Sequence, residues 1–326
     1  MRETFLAKVR ARADREHPPL PGPIVFEGNA PSDVRENPLL RSLLEAPSLK
    51  PLGPPRVWLG APNSIKGPTE AVFTRQSGNN LLLVGQREEA VLAILSVGLI
   101  SLAAQYPLGG ASFILCDGTP AGSPQRAFIE RVLRAIPHPV ELAKQASLAA
   151  IMNSLADEMK KRVEAADAEA APPTFLFIHA LQKYPRLRYE EDFSFSSDAA
   201  APPNPAAVLN NLVCEGTRLG FHVIASCDTY NNVNRFLSRK AFTEFELRVL
   251  FQMSANDSAS LIDSPKASLL GLHRALFFDA QEGRLETFRP YALPAEDWIE
   301  YAARNLARLH ARPGSAKTPG GMMTLP

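Results

Sequence analysis

The residues Leu81-Leu82-Leu83-Val84-Gly85, followed by a long apolar stretch, have the strand–turn–helix form of a phosphate-binding loop. A working loop reads G-x-x-x-x-G-K-[ST]. Its backbone N–H groups curl around the phosphates, its lysine neutralises their charge and its hydroxyl holds Mg²⁺. Counted from Gly85, the loop is Gly85, Gln86, Arg87, Glu88, Glu89, Ala90, Val91 and Leu92. Ala90, Val91 and Leu92 stand where the second glycine, the lysine and the hydroxyl belong. Glu88 and Glu89 suit the positive end of a helix but repel a triphosphate. A second strand, Thr174-Phe175-Leu176-Phe177-Ile178, should end on one acid for Mg²⁺ and another to activate water. It ends on His179-Ala180. The two departures together point to a domain that does not hydrolyse ATP. Gly85 alone reads equally well as a plain turn glycine.

Other candidates flank these. Asp117 and Asp228 fall at the C-terminal ends of strand-like runs, where open α/β sheets bind ligands, and they serve equally as helix or turn caps. His179 is a base in place of a carboxylate or a satisfied polar residue at a strand end. Arg248 begins an apolar run and reads as a paired structural arginine or as a contact to a neighbour. Arg235, Arg239 and Lys240 form a basic cluster suited to phosphates or to solvent. Lys183, Arg186 and Arg188 lie among Tyr184 and Tyr189, a basic-aromatic mix that suits nucleic acid, but Glu190, Glu191 and Asp192 follow and cancel its field. No cysteine or histidine spacing indicates a metal site.

These residues need a parallel sheet to bring them together. Continuous apolar runs at 80–84, 112–116, 174–179, 221–226 and 248–253 read as strands covered on both faces. They alternate with helical stretches at 88–105, 124–135, 142–168 and 206–218, the pattern of an α/β domain. In the third helix Ile151, Leu155, Met159 and Val163 make one apolar stripe. Residues 56–60 read as a strand entering the domain. The runs 275–279 and 284–288 read as a hairpin on the sheet's edge. Residues 1–17 read as a short charged helix, 184–205 as a polar, Pro-rich surface insertion, and 312–326 as a disordered tail.

The chain has 326 residues, 45% of them apolar, enough for one large α/β domain with appendages or two small ones. Its 35 basic and 34 acidic residues leave a formal charge of +1, which excludes a bulk electrostatic grip on DNA but not a local patch. Cys116, Cys214 and Cys227 are scattered, as reduced thiols of a cytoplasmic protein are. No apolar run reaches the roughly 20 residues of a membrane span, so membrane contact by this segment is not expected.

The second half of the chain resembles the FtsK/SpoIIIE DNA translocases. Glu244-Phe245-Glu246-Leu247-Arg248-Val249-Leu250-Phe251-Gln252-Met253-Ser254, Asp257-Ser258 and Leu261-Ile262-Asp263 are similar to that family's arginine-initiated strand ending in Gln, its Asp-Ser turn and its Ile-Leu-Asp. Ala267 to Ala275 resembles its Leu-Leu-Gly segment, Gly220-Phe221-His222 its Gly-Ile-His strand, Glu158-Met159-Lys160-Lys161-Arg162 its Glu-Met-x-x-Arg helix, and Phe113 to Asp117 its strand ending in Asp. The landmarks run in the family's order from about residue 56 to about residue 290. Departures are consistent: Ser226-Cys227-Asp228 replaces the family's Thr-Gln sensor, and Ala259 replaces the arginine after Asp-Ser. The chain looks like the silent modules of multi-domain members, including type VII secretion ATPases.

The resemblance implies an α/β, RecA-like P-loop NTPase fold: a mostly parallel central sheet with helices on both faces and a C-terminal edge hairpin. It implies ATP as the cofactor, held weakly or lost, with Mg²⁺ disfavoured. Implied partners are active FtsK-like ATPase domains, in the same or a longer chain, as a ring or in tandem, and double-stranded DNA. The expected organisation is an N-terminal helical, Pro-rich extension over 1–55, the domain over 56–294, a C-terminal helix over 295–311, and the tail. The short charged start leaves open whether these residues are the C-terminal part of a longer chain.

Overall fold

The computed structural model describes residues 2–16, 30–49, 53–165, 171–190 and 204–311. The expected tail at 312–326 and most of the insertion at 184–205 lie outside them. Ten strands form one sheet: β1 (Arg56–Pro62), β2 (Thr69–Val72), β3 (Leu81–Val84), β4 (Ser112–Asp117), β5 (Val140–Ala143), β6 (Thr174–His179), β7 (Phe221–Cys227), β8 (Leu247–Leu250), β9 (Ala275–Asp279) and β10 (Arg284–Pro290). Their order is β2-β1-β10-β9-β8-β3-β7-β6-β4-β5. From β8 to β5 every neighbouring pair is parallel, and from β2 to β8 every pair is antiparallel.

The helices are α1 (Arg2–Glu16), α2 (Pro38–Leu44), α3 (Glu88–Ala103), α4 (Pro124–Ala135), α5 (Leu148–Glu164), α6 (Pro205–Glu215), α7 (Tyr230–Phe236), α8 (Arg239–Thr243), α9 (Ala255–Ile262) and α10 (Glu296–His310). The strand period of two divides the core. Leu81 and Leu83 face a layer containing α2, α3, α4 and α10; Leu82 and Val84 face one containing α5 to α9. Helix α3 is buried without interruption from Val91 to Ala103, so its apolar residues surround it rather than forming a stripe. Gly98 lets it approach closely: a Cβ there would lie 3.0 Å from Val57.

Two expectations are corrected. The β9–β10 hairpin is not an edge. β1 pairs antiparallel with β10, β2 pairs with β1, and both lie outside the hairpin. The helix expected from residue 142 starts at Leu148, because Val140–Ala143 pairs with β4 as a strand and a turn at Lys144–Ser147 intervenes. The four-residue strand β2, too short to carry a pattern of its own, lies at the end of the sheet and pairs with β1, the strand just before it in the chain.

Residues 30–49 join the same core. Val34, Leu40 and Leu44 pack with Trp298, Ile299 and Leu306 of α10. Asn37 caps α2 and donates to the buried Tyr291 hydroxyl at 2.9 Å. Residues 3–13 of α1 are exposed.

The strand starts are tied by side chains. Asn80, fully buried, donates to the carbonyls of Val213 and Glu244 and accepts from Val223 N–H at 2.9 Å. Arg162 donates to Glu158, Leu219 O and Thr174 Oγ1 while covering the Phe221 ring, so the Glu-Met-x-x-Arg motif clamps the starts of β6 and β7. Asn80→Ala leaves three buried backbone groups unpaired, each worth about 1–3 kcal/mol. The expected loss, after partial rescue by water, is about 2–4 kcal/mol in urea unfolding; a loss under about 0.5 kcal/mol would show that Asn80 does not tie these strands.

Candidate functional site

The C-terminal ends of β3, β4, β6 and β7 are adjacent in the sheet, so the loops leaving them meet. Gly85 follows β3 with φ +135°, a conformation that disfavours a side chain, and its N–H donates to Cys227 O at the end of β7. A Cβ at Gly85 would lie 2.8 Å from the Phe251 Cβ. The turn therefore requires glycine for packing as well as for backbone conformation. The helix α3 begins three residues later, with no side chain capping its start. Val91 and Leu92, at the lysine and hydroxyl positions, are 4% and 1% exposed and belong to the core.

A cavity of about 290 Å³ lies where these loops converge, bounded by Gly85 to Glu88, His179, Lys183 and Ser226 to Asp228. Gly118, just after β4, and Ala180, just after β6, also line it. Asp117 is buried and accepts from Thr119 N–H at 2.8 Å and Thr119 Oγ1 at 2.9 Å, and its Oδ2 pairs with Arg126 at 2.9 Å. His179, 4% exposed, places Nδ1 3.7 Å from Asp117 Oδ1, beyond hydrogen-bond range, and that nitrogen has no hydrogen-bond partner among the described residues. Burial pushes the Asp117 carboxyl up, but the neighbouring His179, the two Thr119 groups and Arg126 outweigh it and hold the carboxyl below its ordinary value.

Ala180 occupies the left-handed region at φ 58°, a conformation costing an alanine about 1–2 kcal/mol, and donates its N–H to Ser226 Oγ at 2.8 Å. The backbone after β6 is thus held firmly at the place where catalytic acids would stand, with no acid on it. Asp228, half-buried, accepts from Asn232 Nδ2 at 2.7 Å and Thr229 Oγ1 at 3.3 Å at the start of α7.

The remaining candidates lie elsewhere. Arg248 is buried and donates to the carbonyls of Phe245, Leu261 and Phe242, over the Phe242 ring at 4.4 Å. Burial depresses its pKa, and every one of those contacts is internal. Arg235 and Arg239 are exposed, and Lys240 pairs with Glu215 at 2.7 Å. Tyr189 N–H donates to Arg235 O, which brings the two basic stretches together; Tyr184 is buried and has no face to offer a base. Arg126 was missed, since only the fold brings α4 over Asp117.

The residues present do not fit a Mg²⁺-triphosphate. The loop's lysine and hydroxyl positions carry the buried Val91 and Leu92, the strand-end acid positions carry His179 and Ala180, and Glu88 and Glu89 are exposed at the helix start. What remains is the backbone of that helix start, with Arg87 and Lys183 beside it. Among the described residues no group of histidines, cysteines and acids is arranged to hold a metal, and no helix is long and apolar enough to cross a membrane.

No family model and no curated protein matches the sequence. Solved structures do match the fold. The cytoplasmic domain of the type VII secretion ATPase EccC of Thermomonospora curvata aligns over 85% of this chain and 34% of its own, with 17% identity and a TM-score of 0.58. The pCW3 conjugation coupling protein TcpA, in a monomer form with ATPγS, aligns over 85% of this chain and 74% of its own, with 14% identity and a TM-score of 0.57. EssC (ATPases 2 and 3) of Geobacillus thermodenitrificans aligns over 90% of this chain and 52% of its own, with 13% identity and a TM-score of 0.55. The chain has the RecA-like ATPase fold of these proteins and spans about a third of the EccC chain and half of the EssC chain.

Asp117 supplies a test of the site's electrostatics. Its folded pKa lies below its unfolded one, so its contribution is fully present above the ordinary carboxylate value of about 3.9 and is lost as pH falls through the lower folded value. The stability gap between the wild type and Asp117→Asn, read from urea unfolding, should shrink between about pH 5 and about pH 2. A gap that stays constant would mean that the carboxyl is not held ionised by its neighbours.

Proposed function

We propose that this chain is a non-hydrolysing ATPase-fold module of a motor that translocates DNA or polypeptide. It acts by packing against active ATPase domains of the same fold, in a ring or in tandem, and shaping the path of the moving polymer. The observation that carries this reading is the cavity at the strand ends, where Gly85 makes the strand-to-helix turn with positive φ while Val91, Leu92, His179 and Ala180 stand at the positions that carry catalytic side chains in a working loop. The likeness to EccC and EssC supports the setting, because each of those chains is much longer than this one and the EssC structure contains two ATPase modules.

A second reading is a nucleotide bound without hydrolysis, as a structural or regulatory ligand. It is favoured by the uncapped start of α3, whose N–H groups have no side-chain acceptor, with Arg87 and Lys183 at the same cavity. A likeness to a protein solved with ATPγS is consistent with it.

Purified chain with ATP–Mg²⁺ should turn over at less than about 0.1 s⁻¹, below the roughly 1–10³ s⁻¹ usual for enzymes. Faster release of phosphate, retained through purification and lost in a Gly85→Val variant, would overturn the proposal.

A further inference from the structure

A second cavity, of about 360 Å³, opens on the other side of the α3 start. Its walls are apolar: Phe251, Tyr291 and Pro290 are buried, and Leu293 and Pro31 are half-buried. One lip is Arg87-Glu88-Glu89 and the other is Leu272-His273. Leu272 is 59% exposed, and Leu269, three residues earlier, is 85% exposed, so an apolar apron leads to the mouth. The volume falls at the low end of the range of roughly 300–1,000 Å³ for small-ligand pockets and suits a bulky side chain.

Charge narrows the occupant. Glu88 and Glu89 are exposed and form no ion pair or side-chain hydrogen bond among the described residues, whereas Arg87 is the single guanidinium on that lip. Two carboxylates against one cation repel an anionic ligand and attract a cationic one. We infer that this cavity docks a polypeptide segment of a partner protein, seating one aromatic or aliphatic side chain against Phe251 and Tyr291 while an adjacent Lys or Arg meets Glu88 and Glu89. The inference rests on the reading of the chain as a packing module and names the chemistry of the segment it grips. The two carboxylates at the helix start then have a use that a triphosphate loop would forbid.

Panning a random heptapeptide library against the immobilised full chain tests this. Enriched peptides should carry an aromatic or aliphatic residue next to Lys or Arg. Their binding should fall about tenfold or more, equivalent to 1.4 kcal/mol, in a Glu88→Lys/Glu89→Lys double variant and again in Leu272→Asp. All three positions are exposed, and an unchanged unfolding midpoint confirms that the variants fold. Enrichment of acidic peptides, no enrichment over a blank surface, or binding that survives both variants overturns the inference. So does displacement of the peptides by millimolar ATP–Mg²⁺, which would make the cavity a nucleotide site. Failure here without ATP turnover removes only the docking site; turnover by the chain removes the reading beneath it.

Discussion

The structure depends on the way α3 is driven into the core behind β3. Thirteen consecutive residues of this helix, Val91 to Ala103, are buried, and the strand feeding it has both faces covered. A chain that leaves β3 and enters such a helix must turn sharply beneath Phe251, and Gly85 makes that turn with a positive φ and no side chain. Burial of this kind contributes roughly 25 cal/mol per Å² of apolar surface, against which the absence of a capping side chain at Arg87 is a small cost. The glycine turn between β3 and α3 is therefore one the core itself needs. The lysine and hydroxyl positions carry Val91 and Leu92, which are buried in the core.

The same economy holds at the end of β6. Ala180 keeps a strained backbone, fixed by the Ser226 hydroxyl, and Asp117 keeps a buried carboxylate balanced by Arg126 and Thr119. His179 lies between them without a catalytic partner. The strand ends converge as an active site does, but the polar groups there are spent on one another. Arg248, Arg162 and Asn80 repeat the theme at the other end of the strands, where Arg248 satisfies three backbone carbonyls, Asn80 two carbonyls and an N–H, and Arg162 one carbonyl together with the Glu158 and Thr174 side chains.

The parallel half of the sheet was legible because its strands are doubly covered and so read as unbroken apolar runs; β6 and α4 fall where the residue pattern places them. In the antiparallel half β1 and the β9–β10 hairpin were legible as strands, but their arrangement was not, since β1 finds β10 across more than two hundred residues and no local pattern encodes that pairing. β5 failed for a different reason. Its four residues precede a helix with a strong apolar stripe, and the helical period of that stripe overran them. At the site, the substitutions at Ala90 to Leu92 and at His179-Ala180 could be read directly. Arg126 over Asp117, the left-handed Ala180 and the burial of Tyr184 could not, because each depends on which elements the fold brings together. The second cavity is also invisible in sequence: it joins residues from the α3 start, the segment before β9 and the turn after β10.

The central claim is that the α3 start is a packing device and no longer a nucleotide clamp. Thermal unfolding with and without ATP–Mg²⁺ tests it most directly. A ligand held by the folded state alone stabilises it by RT ln(1 + [L]/Kd), about 2.7 kcal/mol at a hundredfold excess over Kd. The account predicts an unfolding midpoint unchanged within error up to millimolar nucleotide, whereas a rise of several degrees that saturates with ATP would contradict it.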